Sequence, residues 1–517
     1  MTMEQTCCIN IKTDLRELRC EAEAGEVLLD VLRRAGAVPP APCGGNGTCG
    51  RCTVRLNGSV LRACQARVSE DCTVEFSEQS GGAILTGSSA VGSPAVSAVQ
   101  AETLSGRKLC AAVDLGTTTV VMELLDADSG AVLGTASGWN AQAPYGADVI
   151  TRCQYCMEHG DGVKKLQALI REQTAAMLKE LGASHSQVQE LFVAGNTVMQ
   201  HLYAGLSPAG IATAPFRPLT LFEDGRENGE RIAYAPCVAG YLGGDITAGV
   251  LACGLHRRRE HSLFLDIGTN GEMLLGGTDG FLGCSVASGP AFEGVGISCG
   301  MAGINGAVSH ITWPDGAASP LPETIGGAPP RGICGSGLID LLAALTEKRM
   351  ISGSGLLYGP DEAPAEYRHL LEEDENGNGI FLLTEDRKVF LTAADVRKLQ
   401  LAKAAVAAGI EVLLEEAGLR AEDLDRLYLA GGFGTYMNVR SAAAIGMLPA
   451  CLVQKAVSLG NSSLAGARLA ALSEAARREL NTIPSRIRYL ELSGNRAFNR
   501  IYPEQMLFYE EDDDEWN

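Results

Sequence analysis

The tightest constraint on this chain is one loop of cysteines and glycines. Cys43-Gly-Gly-Asn-Gly-Thr-Cys49-Gly-Arg-Cys52 crowds three thiols together, and Cys64 follows in Leu-Arg-Ala-Cys-Gln. Four soft anionic ligands converging on one point suit an iron–sulfur cluster. Gly44, Gly45, Gly47 and Gly50 let the backbone take positive φ and approach closely. Their N–H groups can then face electron-rich sulfur. A structural zinc site is the competing reading. Zinc sites are usually built from two short Cys or His pairs, whereas here a triplet precedes a singleton. The pattern assigns Cys43, Cys49, Cys52 and Cys64 as ligands of a [2Fe-2S] cluster.

The flanking segments are short and local. Residues 7–21 alternate apolar and polar, with Asp14 near the turn, which predicts a hairpin. Glu26 to Gly36 has an amphipathic helical period ending in glycine. After the loop come Thr53-Val-Arg-Leu, a tight turn at Asn57-Gly58, Val60-Leu-Arg-Ala and a strand near Cys72-Thr-Val-Glu-Phe. This order resembles a β-grasp ferredoxin closing near residue 78. The first cysteine gap is one residue longer than in plant-type ferredoxins, as in the vertebrate-type and bacterial relatives of that fold. Residues 79–107 are rich in Ser, Gly, Ala and Val and predict a flexible linker, spanning roughly 5–6 Å × √n. A tether of that kind suits a cluster that must meet one partner to be reduced and another to be oxidised; a mere spacer is the plain alternative.

From Leu109 the character changes. Ala111-Ala-Val-Asp-Leu-Gly-Thr-Thr-Thr-Val-Val predicts strand, tight turn and returning strand, and Ser262-Leu-Phe-Leu-Asp-Ile-Gly-Thr-Asn-Gly-Glu-Met repeats it. No G-x-x-x-x-G-K-[ST] run exists, so this is not a P-loop. Gly116, Thr117 and Thr118 in the first turn, and Gly268, Thr269, Asn270 and Gly271 in the second, can wrap phosphate oxygens in a backbone nest. Asp114 and Asp266 at the strand ends are hard ligands for Mg²⁺, directly or through water. Two ordinary Asp-Gly hairpins are the competing reading.

These two turns, with Leu427-Tyr-Leu-Ala-Gly-Gly-Phe-Gly-Thr435, resemble the phosphate-1, phosphate-2 and adenosine motifs of the acetate and sugar kinase/heat-shock chaperone/actin superfamily. The resemblance implies a duplicated, two-lobed, ribonuclease-H-like ATPase fold with Mg-ATP at Asp114–Thr118, Asp266–Glu272 and Gly431–Gly434. Gly431, Gly432 and Gly434 would face the nucleotide. The small-residue segments Gly243–Gly254 and Val439–Gly446 stand where that superfamily keeps two connecting helices. Asp245 begins the first and stands where a carboxylate is offered to metal or attacking water; a helix N-terminal charge is the alternative. Gln400 and Lys403, in a helix expected over 395–418, are candidates to touch adenosine, against a solvated helix face. The implied division is a ferredoxin domain at 1–78, linker at 79–107, first lobe at 108–257, second lobe at 258–500 and an acidic tail at 501–517.

A [2Fe-2S] domain ahead of this ATPase fold is similar to the ATP-dependent reductive activators of corrinoid proteins. Val193-Ala-Gly-Asn-Thr-Val-Met-Gln-His-Leu, Ser288-Gly-Pro-Ala-Phe-Glu-Gly, Ile333-Cys-Gly-Ser-Gly-Leu-Ile-Asp and Leu399-Gln-Leu-Ala-Lys-Ala-Ala look like the same family. The resemblance implies one-electron transfer to the inactive Co(II) corrinoid of a methyltransferase corrinoid protein, restoring Co(I). It also implies a separate electron donor and a homodimer. The short linker and the lack of a C-terminal four-cysteine motif depart from some branches. Rival readings are a dehydratase-type activator, a sugar or acetate kinase with a fused electron carrier, and a non-enzymatic redox or nucleotide sensor.

Composition narrows the surroundings. A formal net charge of −20 argues against nucleic acid, which needs a basic surface. No apolar run reaches the length of a membrane span, and the start carries no secretory pattern. Seventeen cysteines without a paired framework in 517 residues fit a reducing cytoplasm. Cys153-Gln-Tyr-Cys156 reads as two ordinary helical cysteines or a redox pair. His201 reads as a hydrogen-bonded structural histidine rather than a ligand.

Overall fold

The computed structural model describes residues 6–13, 16–39, 41, 45, 47, 52–76, 104, 106–223, 231–268 and 270–508. Cys43, Cys49, Gly44, Gly50, Thr269, most of the expected linker and residues 509–517 lie outside these.

The first unit is a five-stranded sheet crossed by one helix. Its elements are β1 (Thr6–Thr13), β2 (Glu17–Glu23), α1 (Leu28–Arg34), β3 (Thr53–Leu56), β4 (Ser59–Arg62) and β5 (Cys72–Phe76), with strand order β2-β1-β5-β3-β4. β1 pairs antiparallel with β2 and parallel with β5, the arrangement expected of a β-grasp. Leu28, Leu29, Val31 and Leu32 of α1 pack on Ile9, Ile11, Val54 and Val74.

Two further sheets repeat one plan. The first lobe contains β6 (Leu109–Leu115), β7 (Thr119–Asp126), β8 (Val132–Trp139), α2 (Val149–Glu158), α3 (Gly162–Glu180), β9 (Val188–Gly195), α4 (Thr197–Ala204), α5 (Ala209–Ala212), β10 (Ile232–Tyr234) and α6 (Gly244–Cys253). The second begins β11 (Ser262–Ile267), β12 (Gly271–Gly277), β13 (Gly280–Val286). Beside these lie two small sheets, β14 (Ala307–Thr312) with β15 (Leu321–Thr324) and β16 (Gly332–Ile333), and, beyond α7 (Gly335–Glu347), β17 (Leu371–Glu373) with β18 (Gly379–Leu382) and β19 (Phe390–Thr392). Then come α8 (Ala393–Ala417), β20 (Arg426–Ala430), α9 (Gly431–Tyr436), α10 (Val439–Ala444), β21 (Ala456–Gly460), α11 (Ser462–Leu472), α12 (Glu474–Leu480), β22 (Ile487–Tyr489) and α13 (Arg496–Glu504).

The sheet orders are β10-β9-β6-β7-β8 and β21-β20-β11-β12-β13-β22. Each lobe therefore has an antiparallel three-strand meander whose first strand pairs in parallel with a later one, β6 with β9 and β11 with β20. β6 and β11 are buried along almost their whole length, which is why both read as continuous apolar runs.

Small residues join the lobes. α6 packs on α11, where a Cβ at Gly466 would stand 2.0 Å from the Ala248 carbonyl oxygen and one at Gly249 would stand 2.8 Å from Ser462 Oγ. The second connecting helix is thus α11, not the expected Val439–Gly446 segment. α10 instead docks on α7, where Ser441 donates to Asp340 at 2.6 Å. Both segments carry the same small-residue pattern, and only the fold distinguishes them. The expectation for residue 501 onward is also corrected in part: α13 continues through Glu504, and Phe508 is buried with its N–H on the Gly353 carbonyl.

Candidate functional site

The cluster end of the first unit is set by a hairpin. Thr53 pairs with Arg62, and Ala63 N–H bonds the Cys52 carbonyl at 2.8 Å. Cys52 and Cys64 therefore flank the same end of the β3–β4 pair. Gly45 and Gly47 have φ of +102° and +85°. A Cβ on Gly45 would lie 3.0 Å from Leu29 Cδ2, and one on Gly47 would lie 3.0 Å from Gln65 Nε2. The loop is thus pressed against α1 and the segment after β4, and glycine alone fits both needs. These features and the thiol donors fit an iron–sulfur cluster.

In the first lobe, Asp114 ends β6 opposite Val121. The turn beyond it is gripped from behind. Asn140 Nδ2 donates to the Gly116 carbonyl at 2.7 Å, Arg152 Nη2 to the Thr117 carbonyl at 2.6 Å and Asn140 N–H to the Thr118 carbonyl at 2.9 Å. In a trans peptide the next N–H points opposite the carbonyl, so the Thr117 and Thr118 N–H groups are left facing away from this brace. Gly116 cannot be replaced, because a Cβ would meet the Thr119 carbonyl oxygen at 2.6 Å. Asn196, the N-cap of α4, donates from Nδ2 to Thr117 Oγ1 at 3.0 Å.

The second lobe repeats the turn with a different lining. Asp266 pairs across the hairpin with Glu272. Gly268 N–H closes on the Asn270 carbonyl at 2.8 Å. Around Gly268 the space is open, with Glu293 Oε1 3.8 Å from a built Cβ. Glu293 also accepts from Thr118 Oγ1 at 2.7 Å, so one carboxylate spans both phosphate loops. Gly431 opens α9 at φ +81°, where a Cβ would fall 2.4 Å from Asp266 Oδ1. Nothing stands within 4 Å of a Cβ on Gly432, leaving room for a ligand. Gly434 is buried in α9. Phe433 is not free for a base: it stacks on Phe292 with centroids 5.1 Å apart.

The electrostatics of the cleft are one-sided. Burial raises the proton affinity of Asp114, Asp245, Asp266 and Glu272, and mutual repulsion adds to it for the last three. Asp266 is pushed to about 8, first by burial and then by the charges of Asp245 and Asp114. Asp114 is partly relieved by Ser463 Oγ at 2.8 Å and Asn461 Nδ2 at 2.7 Å. Asp245 opens α6 and accepts its neighbour Ile246 N–H at 2.9 Å. Such a group of carboxylates calls for a cation. Among the described residues, no three His, Cys, Asp or Glu side chains stand close enough to hold one ion directly. Hard carboxylate oxygens of this kind suit a hydrated magnesium ion that completes its shell with phosphate.

The expected sites thus sort clearly. Asp114, Asp245 and Asp266 stand within electrostatic reach of one another, Glu293 links the Gly116–Thr118 turn to Gly268 and Gly431 stands against Asp266, whereas Gly432 has open space around it and Gly434 lies against Leu429. Gln400 and Lys403 are not part of this group: both are buried and tied to the C-terminal segment, Gln400 to the Met506 carbonyl at 2.7 Å and Lys403 to that of Leu507. Cys153 and Cys156 are helical thiols pushed up by burial to about 12 and 11. His201 is buried with Nδ1 2.7 Å from the Thr197 carbonyl. In the sequence, Glu272 stands out only as the end of the Asp266–Glu272 stretch, and Asn196 and Glu293 only as members of family-like segments without a role; Asn461 and Ser463 have no local signal.

Fold and cleft together define a ferredoxin joined to a two-lobed actin-like ATPase. Three family models cover the chain: a "2Fe-2S iron-sulfur cluster binding domain" at residues 11–78, the "RACo middle region" at 109–258 and the "C-terminal domain of RACo the ASKHA domain" at 260–517. The chain belongs to the RACo family. It is 32% identical over 422 residues to the corrinoid activation enzyme RamQ of Eubacterium limosum, covering 77% of this chain and 70% of that protein. It is 26% identical over 432 residues to the [Co(II) methylated amine-specific corrinoid protein] reductase of Methanosarcina barkeri, covering 76% and 75%. A solved reductive activator for corrinoid, iron–sulfur protein matches with TM-score 0.69 and 31% identity, over 97% of this chain and 98% of that one. Among the described residues, no helix is long and apolar enough to cross a membrane.

Proposed function

We propose that this chain is an ATP-dependent reductase that returns the inactive Co(II) corrinoid of a methyltransferase corrinoid protein to Co(I). The observation that carries this reading is the union, in one chain, of a cysteine-bearing ferredoxin domain with a cleft built from paired phosphate hairpins. When bound at Cys43, Cys49, Cys52 and Cys64, a [2Fe-2S] cluster supplies one-electron transfer, drawing on a separate donor. The potential of such a cluster is on the order of −400 mV, so nucleotide has a thermodynamic task.

The protein's own residues do the rest. The Thr117 and Thr118 N–H groups and the Gly268–Gly271 turn receive phosphate oxygens. Asp114, Asp245 and Asp266 hold the hydrated Mg²⁺, and Gly431, Gly432 and Gly434 let adenosine lie against the backbone. Asp245 of the first lobe and Asp266 and Glu272 of the second repel one another across the hinge, and a hydrated Mg²⁺ held there would supply the positive charge that offsets this repulsion. A hinge biased in this way is a common nucleotide switch. The cytoplasm is the compartment that fits its free thiols.

A dehydratase-type activator would hold its cluster with ATPase-domain cysteines. Such an activator needs no ferredoxin domain, whereas this chain carries a 2Fe-2S domain at residues 11–78 ahead of its ATPase lobes.

The test uses anaerobic protein, reductant, a Co(II)-loaded corrinoid protein and Mg-ATP, followed by visible spectroscopy. Co(I) should appear only with ATP and should vanish in Cys49→Ser. ATP turnover without any change at cobalt, across several corrinoid partners, would overturn the reading.

A further inference from the structure

Among the described residues, Arg33 of the ferredoxin unit reaches the first lobe. Arg33, in the last turn of α1, is only 5% exposed although charged. Arginine is rarely covered to this extent unless it is paired. Its Nη1 pairs with Asp30 of the same helix at 2.9 Å, its Nη2 donates across to the Pro144 carbonyl, and its guanidinium stands 4.8 Å from the Tyr145 ring centroid. Lys165 Nζ approaches the same ring at 5.1 Å. On its own side, Arg33 borders the cysteine loop, with Nη2 3.6 Å from a Cβ built on Gly45.

The loop that receives Arg33 is the brace of the first phosphate turn. Residues 140–146 hold the Gly116 and Thr118 carbonyls through Asn140. At the other end, Gly146 is locked by Arg152 Nε on its carbonyl at 2.9 Å, and the same guanidinium holds the Thr117 carbonyl. Arg152 is fully buried and has no freedom to reorient independently. A Cβ at Gly146 would lie 2.6 Å from Thr151 Oγ1, so this end of the loop is packed tight. The Thr117 and Thr118 peptides and the Pro144–Tyr145 segment therefore share one hydrogen-bonded brace.

We propose that the 140–146 loop is a docking surface for the chain's own ferredoxin domain, and that Arg33 there couples nucleotide occupancy to the position of the cluster domain. The proposal rests on the nucleotide reading of the cleft. By linkage, whatever nucleotide does to the docked state, docking does equally to nucleotide affinity.

The experiment is hydrogen exchange on the full-length, cluster-loaded protein with and without a non-hydrolysable Mg-ATP analogue. Nucleotide should change exchange at Leu28–Arg34 by about fivefold or more, the low end of typical coupling. Arg33→Glu should abolish that response while Asp114–Thr118 remains protected by nucleotide. Its visible cluster spectrum reports folding, and Arg33→Gln serves if the charge reversal fails to fold. Protection at Asp114–Thr118 without any response at Leu28–Arg34, or an equal response in the variants, overturns the coupling alone. No protection at Asp114–Thr118 in the parent protein overturns the nucleotide reading and the coupling with it.

Discussion

Asp114 and Asp266 occupy the same place on two copies of one hairpin, yet their surroundings are opposite. Asp114 faces Val121 across its hairpin and takes hydrogen bonds from Asn461 and Ser463, which belong to the start of α11. Asp266 faces another carboxylate, Glu272, and no hydrogen bond to its side chain relieves it among the described residues. Duplication preserved the backbone and let the electrostatics diverge. The first hairpin uses its carboxylate to tie the lobes together. The second leaves its carboxylate frustrated and therefore receptive to a cation.

The sharpest way to break this comparison is to remove each charge in turn. Asp266→Asn should lower Mg-ATP turnover on the order of 100-fold, as when an electrostatic group at a reacting centre is lost. Above the value of about 8 at which Asp266 ionises, it should also raise the melting temperature of the nucleotide-free protein, since a buried, unpaired charge is gone. Asp114→Asn also removes a buried charge, but it weakens the hydrogen bonds from Asn461 and Ser463 that partly offset that charge, so it should raise the melting temperature less than Asp266→Asn, with a smaller loss of turnover. Steady-state ATPase assays and thermal melts decide this; an equal or larger gain in melting temperature for Asp114→Asn would refute the contrast.

The glycines give a second test. Gly431→Ala places a methyl group 2.4 Å from Asp266 Oδ1 at a φ of +81°, which should cost about 1–3 kcal/mol. Gly432→Ala meets nothing within 4 Å and should leave stability unchanged while weakening nucleotide binding. Urea denaturation and calorimetric titration with Mg-ATP would separate the two effects.

The pH dependence follows from the raised carboxylates. Their folded forms hold protons that the unfolded chain releases near pH 4. Between there and the folded value of about 8 for Asp266, the native state binds more protons than the unfolded state. Stability of the magnesium-free protein therefore falls as pH rises through this window, by at most about 1.4 kcal/mol per pH unit for each group. Melting curves from pH 5 to 8 should show the decline from this group, Mg-ATP should flatten it, and Asp266→Asn should reduce its slope. The smallest expected effect is that of Ser463→Ala, about 1 kcal/mol for one lost hydrogen bond, read as a shift in denaturation midpoint.

Much of the site was legible in the sequence because its parts are local. The cysteine–glycine run is a pattern within one short stretch of chain, and a strand–turn–strand around Asp-x-Gly-Thr needs only near neighbours to form. The same local reading failed where two segments shared a pattern. Val439–Gly446 and the α11 segment are both runs of small residues, and nothing in either one says which meets Gly249.

The sequence by itself marked a four-cysteine ligand set as an expectation and determined the two strand–turn–strand hairpins and the order of the units, since each is encoded within a few residues by glycine, cysteine and strand periodicity. Tertiary structure alone decided what surrounds them. Asn461 lies 347 positions from Asp114 in the chain and Glu293 lies 175 from Thr118. Such partners are brought together by sheet order and helix crossing. The charge balance of the cleft, the true connecting helix and the Arg33 contact therefore follow from packing, which sums weak preferences over the whole chain and leaves no local mark.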